Sequence, residues 1–337
     1  MLSTSTTEHP EVGSPACPPA RASLGFWSSR RVKAIAPWLV SALLLAYPLA
    51  TTDLHAVAAA FAQADYIRHA ILLALFASLT LLVDGYYLSL AFRWLCGVGR
   101  YRDLVRARGA AYLLTIVSAF VGLGGLVAYM KRVHGVSYQR GSGVVLVELL
   151  HEVGALGTWA VLGVFWIEHA MPSIAPMVEP ARIFGYGAVL FFLACFILSR
   201  VDPFGDKAPR VLSVFRELSA RQFWALYAIK LFQNVFHGVF VAFTVIGFQI
   251  ATPPSAGFAL SHVVRMVRGL PVSAFGLGVD QVSFAGLFGA WDASGSRILA
   301  YSLVYTFSMF VARALLGLLF VRGIFSDFRS GSAAPLD

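Results

Sequence analysis

Val117-Ser118-Ala119-Phe120-Val121-Gly122-Leu123-Gly124 is a Gly-rich phrase inside an apolar stretch. The chain says it again as Val272-Ser273-Ala274-Phe275-Gly276-Leu277-Gly278, about half a chain later. Paired, Gly-interrupted hydrophobic segments in the two halves of a membrane protein point to a transporter's substrate site. Small and apolar residues are common here, so the four-residue match is weak alone. Its weight depends on what repeats around it.

Composition sets the broad class. Of 337 residues, 58% are apolar and 13% charged, and the mean hydropathy is +0.74. Soluble domains carry roughly 25% charged residues, so a polytopic membrane protein is expected. The formal charge of +9 would suggest nucleic acid in a soluble protein. Lys/Arg-rich cytoplasmic loops explain it better, and no nucleic-acid partner is expected. Cys17, Cys96 and Cys195 are scattered, a pattern that gives neither a disulfide framework nor a zinc site.

Around the first phrase, Gly109 to Met130 carries no charge, and about 20 such residues suffice for a span. Both flanks are basic, however. Arg100, Arg102, Arg106 and Arg108 precede the stretch; Lys131, Arg132 and Arg140 follow it. Basic residues favour the cytoplasm, and Gly122, Gly124 and Gly125 interrupt the middle. A re-entrant hairpin entering and leaving on the cytoplasmic side fits both features. Broken backbone at that depth is tolerated only where protein or a cavity covers it. Residues 257–290, with Arg265, Arg268, Pro271 and the second phrase, form the matching broken segment.

Six apolar segments read as spans, at about 34–51, 69–95, 141–167, 183–200, 222–250 and 297–321. Residues 52–68 read as a surface helix on the outer side. Residues 1–33 read as a disordered cytoplasmic tail, 34–323 as one transmembrane domain and 324–337 as a short C-terminal tail. No apolar core precedes Cys17, so no lipoprotein or cleavable signal is expected. On this topology 19 of the 26 Lys and Arg face the cytoplasm, three lie outside (Arg68, Arg182, Arg297) and four sit in apolar stretches. That asymmetry puts both termini inside, in an integral protein of the bacterial inner membrane. An offset of about 150–155 carries span one onto four, two onto five, the first hairpin onto the second and three onto six. The halves, about 34–170 and 183–323, each hold three spans and so run in opposite senses. The expected fold is all-α: a polytopic helical membrane protein with about six spanning helices plus two re-entrant helical hairpins in an inverted repeat.

Polar residues inside such segments are candidates for function, since each costs roughly 2.5–3.5 kcal/mol to insert. Glu148, His151 and Glu152 lie at i, i+3 and i+4, on one helix face. They form either a cavity wall that binds protons or cationic head groups, or a buried ion pair with a basic neighbour. A Glu-x-x-His pair can ligate iron in bundles that carry two such pairs; one is present here, and no metal is expected. Lys230, Asn234 and His237 share a face at i, i+4 and i+7. Lys230 is near enough to the inner end to snorkel, and the other two can join helices. Arg265 and Arg268, one turn apart, suit a lipid phosphate or the wet face of an interfacial helix. Asp84 and Arg313 read as pairing partners within the bundle. No P-loop, nucleophile elbow, zincin or dinucleotide motif occurs, and no cofactor is expected.

Gly122-Leu123-Gly124-Gly125 leads through Lys131-Arg132 to Glu148 and Glu152, and Leu270-Pro271-Val272-Ser273-Ala274-Phe275-Gly276-Leu277-Gly278-Val279-Asp280-Gln281 forms a second motif. In these two segments the chain resembles the membrane region of lysylphosphatidylglycerol synthase and the stand-alone flippase-like integral membrane proteins related to it. The resemblance covers most of 34–323. Gln281 stands where the family usually has Glu, beside Asp280, and Ala128 near where an Arg is expected. The resemblance implies a lipid flippase or transporter that moves an anionic or lipid-linked substrate between leaflets. It implies a substrate site at Arg265, Arg268, Gly122, Gly124, Gly125, Gly276, Gly278, Asp280 and Gln281. Glu148, His151, Glu152, Lys230, Asn234 and His237 would balance charge or couple protons. The synthase's soluble aminoacyl-transfer domain has no counterpart in these 337 residues, so aminoacyl transfer is not expected. Two alternatives remain: an intramembrane enzyme acting on lipid-linked substrates, and a non-catalytic membrane partner of a lipid or glycan synthesis enzyme.

Overall fold

The computed structural model describes residues 24–116, 118–170, 172, 175–201, 210–268, 276–289, 291 and 294–330. Among these the chain is all-α. Its helices are α1 Leu24–Thr51, α2 Leu54–Gln63, α3 Tyr66–Cys96, α4 Tyr101–Thr115, α5 Ala119–His134, α6 Tyr138–Ala170, α7 Ala175–Val201, α8 Arg210–Glu217, α9 Ala220–Gly247, α10 Pro254–Arg268, α11 Val279–Phe288 and α12 Gly295–Ser330. The chain divides into a unit ending at Ala36 and a second from Pro37 to Asp337. In the first unit helix is present from Leu24 onward, so 24–33 is helical rather than part of a disordered tail; 1–23 lie outside the described residues. At the other end α12 continues past 323 to Ser330, and 331–337 are likewise outside.

Among the described residues five helices are long and apolar enough to cross a membrane: α3, α6, α7 from Ala181, α9 and α12. They coincide with five of the six expected spans. The sixth is bent, with Trp38–Thr51 of α1 and α2 meeting at 93°. Asp53 enforces the break by capping α2, its Oδ1 accepting the His55 amide at 2.8 Å. Asp65 caps α3 in the same way, accepting from the Arg68 amide at 2.9 Å. The surface helix expected over 52–68 is therefore α2, with the polar residues on either side serving as caps.

The two broken segments are pairs of short helices. α4 and α5 hold 15 and 16 residues, α10 and α11 15 and 10. At about 1.5 Å per residue none spans a hydrocarbon layer of about 30 Å. α4 and α5 are joined at 116–118 and pack on each other, as do α10 and α11. The first break corrects the expectation. It falls at Ile116–Ser118, where the Ser118 hydroxyl accepts the Phe120 amide and starts α5. Gly122, Gly124 and Gly125 lie inside α5. A Cβ on Gly122 would run into Thr115 and one on Gly125 into Leu114, so these two close α5 onto α4 rather than turn the chain. The second break is where it was expected. Gly276 and Gly278 adopt φ of 78° and 82° immediately before α11, a region costly for residues with a Cβ. Val117 and 269–275, which hold Pro271 and most of the second phrase, lie outside the described residues.

The basic run 100–108 is also corrected. It is helical from Tyr101, because Leu104, Val105, Ala107 and Ala111 bury one face of α4. That face carries Arg108 into the bundle. Packing forms two apolar clusters. One centres on Tyr87, Phe92, Leu104, Met130, Val144 and Phe223, the other on Phe240, Leu260, Phe284, Phe288, Tyr301 and Tyr305. Each includes one short pair, while α6 and α9 contribute to both. Ile71, Leu75, Leu79, Leu82 and Tyr86 leave an exposed apolar stripe along α3, as a lipid-facing helix requires.

Close approach of α6 and α7 depends on Gly157. A Cβ there would stand 2.7 Å from the Ala188 Cβ and 3.0 Å from the Gly185 carbonyl oxygen. Small residues at such contacts let membrane helices pack backbone to backbone. Gly157→Val is expected to destabilise the protein by about 1–3 kcal/mol, read as a lower thermal unfolding midpoint in detergent. Gly187→Ala on α7, where a Cβ meets nothing within 4 Å, should leave the midpoint in place. Equal midpoints for the two variants would contradict the tight α6–α7 contact.

Candidate functional site

Lys230, midway along α9, is 2% exposed. It does not snorkel. Its Nζ donates to Asp84 Oδ1 of α3 at 2.6 Å and to Glu148 Oε1 of α6 at 3.3 Å. The ring of Tyr87 stands 4.7 Å from the same nitrogen, adding a cation–π contact. Arg108 closes the cluster from α4. Its Nε donates to Asp84 Oδ2 at 2.5 Å and its Nη2 to Glu148 Oε1 at 2.8 Å. Two cations and two carboxylates are thus matched in a place where any one alone would be prohibitive.

The cluster continues one turn along α6. Glu152 Oε2 lies 3.6 Å from Lys230 Nζ, and its Oε1 accepts from Arg265 Nη2 at 2.6 Å. Arg265 Nη1 donates to Asn234 Oδ1 at 2.6 Å, and Asn234 Nδ2 donates to the Lys230 carbonyl at 2.9 Å. One network therefore joins α3, α4, α6, α9 and α10. Its exposure is graded. The side chains of Lys230, Asp84 and Glu148 are 2–4% exposed, those of Glu152 and Arg265 22% and 29%. The network is sealed at Lys230 and opens at the Glu152–Arg265 pair.

The second break builds a smaller cluster. Gln281 Oε1 accepts the Gly278 amide at 2.6 Å, and its Nε2 reaches Thr306 Oγ1 at 3.3 Å. Asp280, in the first turn of α11, accepts from Thr306 Oγ1 at 2.9 Å through Oδ2. Arg268 Nη1 stands 3.3 Å from that same oxygen. Asp280 Oδ1 is buried without a hydrogen-bond partner among the described residues. His237 ties α9 to α12 through Nε2 and the Tyr305 hydroxyl at 2.8 Å.

A groove of about 450 Å³ lies further along α6, α9 and α10, lined by Trp159, Leu162, Val239, Phe243, Pro254 and Phe258 among others. Trp159 is seven residues from Glu152 on α6, and Phe258 seven from Arg265 on α10. Two turns of helix are about 10 Å, so an apolar slot begins about that far along the helices from a half-buried ion pair.

Of the residues singled out in the sequence, Glu148, Glu152, Lys230, Asn234 and Arg265 meet in the first network. Arg268, Asp280, Gln281, Gly276 and Gly278 meet in the second cluster. His151 shares its helix face but not its partners: it contacts the Tyr87 hydroxyl at 2.9 Å and the Phe223 carbonyl at 3.1 Å, behind Tyr87. Gly122 and Gly125 pack within the first pair, and Gly124 has open space beside it. Arg108 was not singled out, because it stands among four arginines in nine residues that form the basic flank of the first broken segment. The available signal was its place among Leu104, Ala107 and Ala111, the apolar face of a helix.

Lys230→Met should strand Asp84 and Glu148 against Arg108 alone and destabilise the fold by about 3–5 kcal/mol. The double variant Asp84→Asn/Lys230→Met should recover part of that loss. Both are read as thermal unfolding midpoints of detergent-purified protein. Additive losses would show that the two groups do not interact.

Residues 34–317 match the family model described as the lysylphosphatidylglycerol synthase TM region. No curated protein and no solved structure matches the chain. The matched stretch contains both short helix pairs, the graded charge network and the cluster at Asp280. The chain belongs to the lysylphosphatidylglycerol synthase transmembrane family.

Proposed function

We propose that this protein is a lipid flippase, moving an anionic or lipid-linked substrate between leaflets of the bacterial inner membrane. The observation that carries this reading is the graded network: a charge cluster sealed at Lys230 and partly open at Glu152–Arg265, with an apolar groove further along the same helices. A lipid has the same two parts, a polar head and an apolar tail. Its acyl chain would lie along Trp159, Val239 and Phe258 while the head group reaches Arg265 and Arg268. An arriving phosphate competes with Glu152 for the Arg265 fork, since guanidinium binds either oxyanion in a planar, bidentate way. Glu152 is then released toward Lys230, already 3.6 Å away, and the cluster rebalances its charge without water.

The proposal includes an inverted repeat with both short pairs re-entrant and both termini cytoplasmic. Equivalent pairing supports it. Asp84 in the second span accepts from Arg108 of the first short pair; Asn234, 150 residues later, accepts from Arg265 of the second, 157 residues after Arg108. Both offsets fall close to that of the spans. Cysteine labelling in cells tests the topology. Arg132→Cys should react only from the cytoplasmic face and Ser255→Cys only from the outer face; outer labelling of Arg132→Cys would refute the inverted repeat.

Transport is tested by leaflet-resolved quenching of labelled lipids in proteoliposomes. Glu152→Gln and Arg268→Ala should each slow movement of a phosphate-bearing lipid by roughly tenfold or more, the scale of a lost charge-assisted hydrogen bond of about 1.5–3 kcal/mol. Arg268→Lys should fall between wild type and Arg268→Ala, keeping charge without the fork. Gly278→Val should be worst, since a Cβ there meets the Leu44 Cβ at 2.6 Å and the Ser41 carbonyl oxygen at 2.7 Å. Undiminished movement by a well-folded Arg265→Ala/Arg268→Ala protein would remove these arginines from the site.

A further inference from the structure

Arg313 lies near the middle of α12, and its side chain is exposed. The exposure is not toward lipid. Residues 4, 7, 11 and 15 apart share one helix face. Ser302, Thr306, Met309 and Gly317 stand at those spacings around Arg313, and all are buried. The lipid side of α12 is the opposite stripe, with Phe307, Val311, Leu315 and Leu318 exposed. An exposed side chain on the inward face opens onto space inside the bundle.

The electrostatic neighbours of Arg313 define that space. They are Arg268 and Arg265 of α10, Tyr112 of α4 and Tyr305 of its own helix. Asp280 is an acidic neighbour, and the Oδ2 of that carboxylate already faces Arg268 and Thr306. Among the described residues Arg313 has no ion pair or hydrogen bond of its own. The balance of charge gives the same result. Arg108, Lys230, Arg265 and Arg268 are matched by Asp84, Glu148, Glu152 and Asp280. Arg313 is a fifth cation with no fifth carboxylate. An unmatched guanidinium at membrane depth is expensive and marks a functional site.

We infer that Arg313 is the principal ligand for a tetrahedral oxyanion, a phosphate or phosphodiester, bound in the space between α4, α10 and α12. One negative charge there neutralises the whole cluster. Arg265, which exchanges Glu152 for the anion, and Arg268, which stays tied to Asp280, flank the site, so they set its shape and selectivity while Arg313 supplies a fork with no carboxylate of its own. Tyr112 and Tyr305 border this space, and the Tyr305 hydroxyl is already held by His237 at 2.8 Å. This rests on the flippase reading only in naming a lipid as the anion's carrier; the binding itself stands apart from transport.

The test is binding of phosphatidylglycerol to detergent-purified protein by native mass spectrometry, with diacylglycerol as the uncharged control and inorganic phosphate as competitor. Arg313→Gln should weaken phosphatidylglycerol binding by about tenfold or more, the scale of a lost charge-assisted hydrogen bond, and leave diacylglycerol binding unchanged. Arg313→Lys, which keeps the charge and protects against misfolding, should fall between. Displacement of the lipid by inorganic phosphate supports the site with free phosphate as a ligand; resistance supports it with the lipid head group as the ligand. Wild-type phosphatidylglycerol binding in monodisperse Arg313→Gln and Arg313→Lys would overturn the inference, whatever the transport result. Arg313-dependent binding without any lipid movement by the wild type would overturn the flippase reading alone.

Discussion

An ammonium group buried in an apolar bundle must be met by carboxylates, and the meeting of Lys230 with Asp84 and Glu148 holds this fold in register. Lys230 is on α9, Asp84 on α3 and Glu148 on α6. Between membrane helices there is no hydrophobic drive to choose one sliding position over another. A slip of one turn along any of the three would move a charge by about 5.4 Å and leave it unmatched. The cluster costs more than an apolar core of equal volume would. What it provides is a single alignment of three long helices.

Both short helix pairs are fastened to that alignment by one arginine each. Arg108 of α4 reaches Glu148; Arg265 of α10 reaches Glu152, one turn further along α6. The short helices cannot span the bilayer and need such anchors. Their broken ends are satisfied locally. Ser118 caps α5, and Gln281 reaches back to the Gly278 amide ahead of α11, so some of the amides that an anion would otherwise seek at these N-termini already have partners. Under the proposed reading, anion binding in the interior would therefore fall to guanidinium groups more than to open backbone.

The fold was largely legible in the sequence because bilayer thickness imposes span length, and five expected spans reappear as α3, α6, α7, α9 and α12. The breaks were legible in kind. Gly276 and Gly278 turn the chain as their positive φ values require, but Gly122 and Gly125 serve packing, which has the same sequence signature. Helix-face spacing correctly grouped Glu148 with Glu152, and Lys230 with Asn234. It could not show that His151, on the same face, turns toward Tyr87, since only the neighbouring helix decides that. Arg108 was hidden in a basic flank, where Leu104 and Ala107, which pull it inward, are a weaker signal than the run of charge around them. For Lys230 the sequence left snorkelling and charge balance both open, because the choice depends on whether a carboxylate is nearer than the interface, and Asp84 lies 146 residues away in sequence.

The gradient of exposure divides the network into a fixed part and a labile part. At Lys230 a change of partner would leave charge uncompensated in a sealed, weakly polarisable volume, at a cost of several kcal/mol. At Glu152 and Arg265 the same change takes place next to open space, where an incoming oxyanion can replace a carboxylate as it departs. Arg265 also sits on α10, so a shift of its partner acts on the second short pair, while α3, α6 and α9 remain held by Asp84, Glu148 and Lys230. The apolar groove ends about 10 Å from this pair, close enough for one amphiphile to touch both. Under the flippase proposal, spans held at Lys230 and one ion pair on α10 that a phosphate can exchange are what would let a lipid bind and then leave.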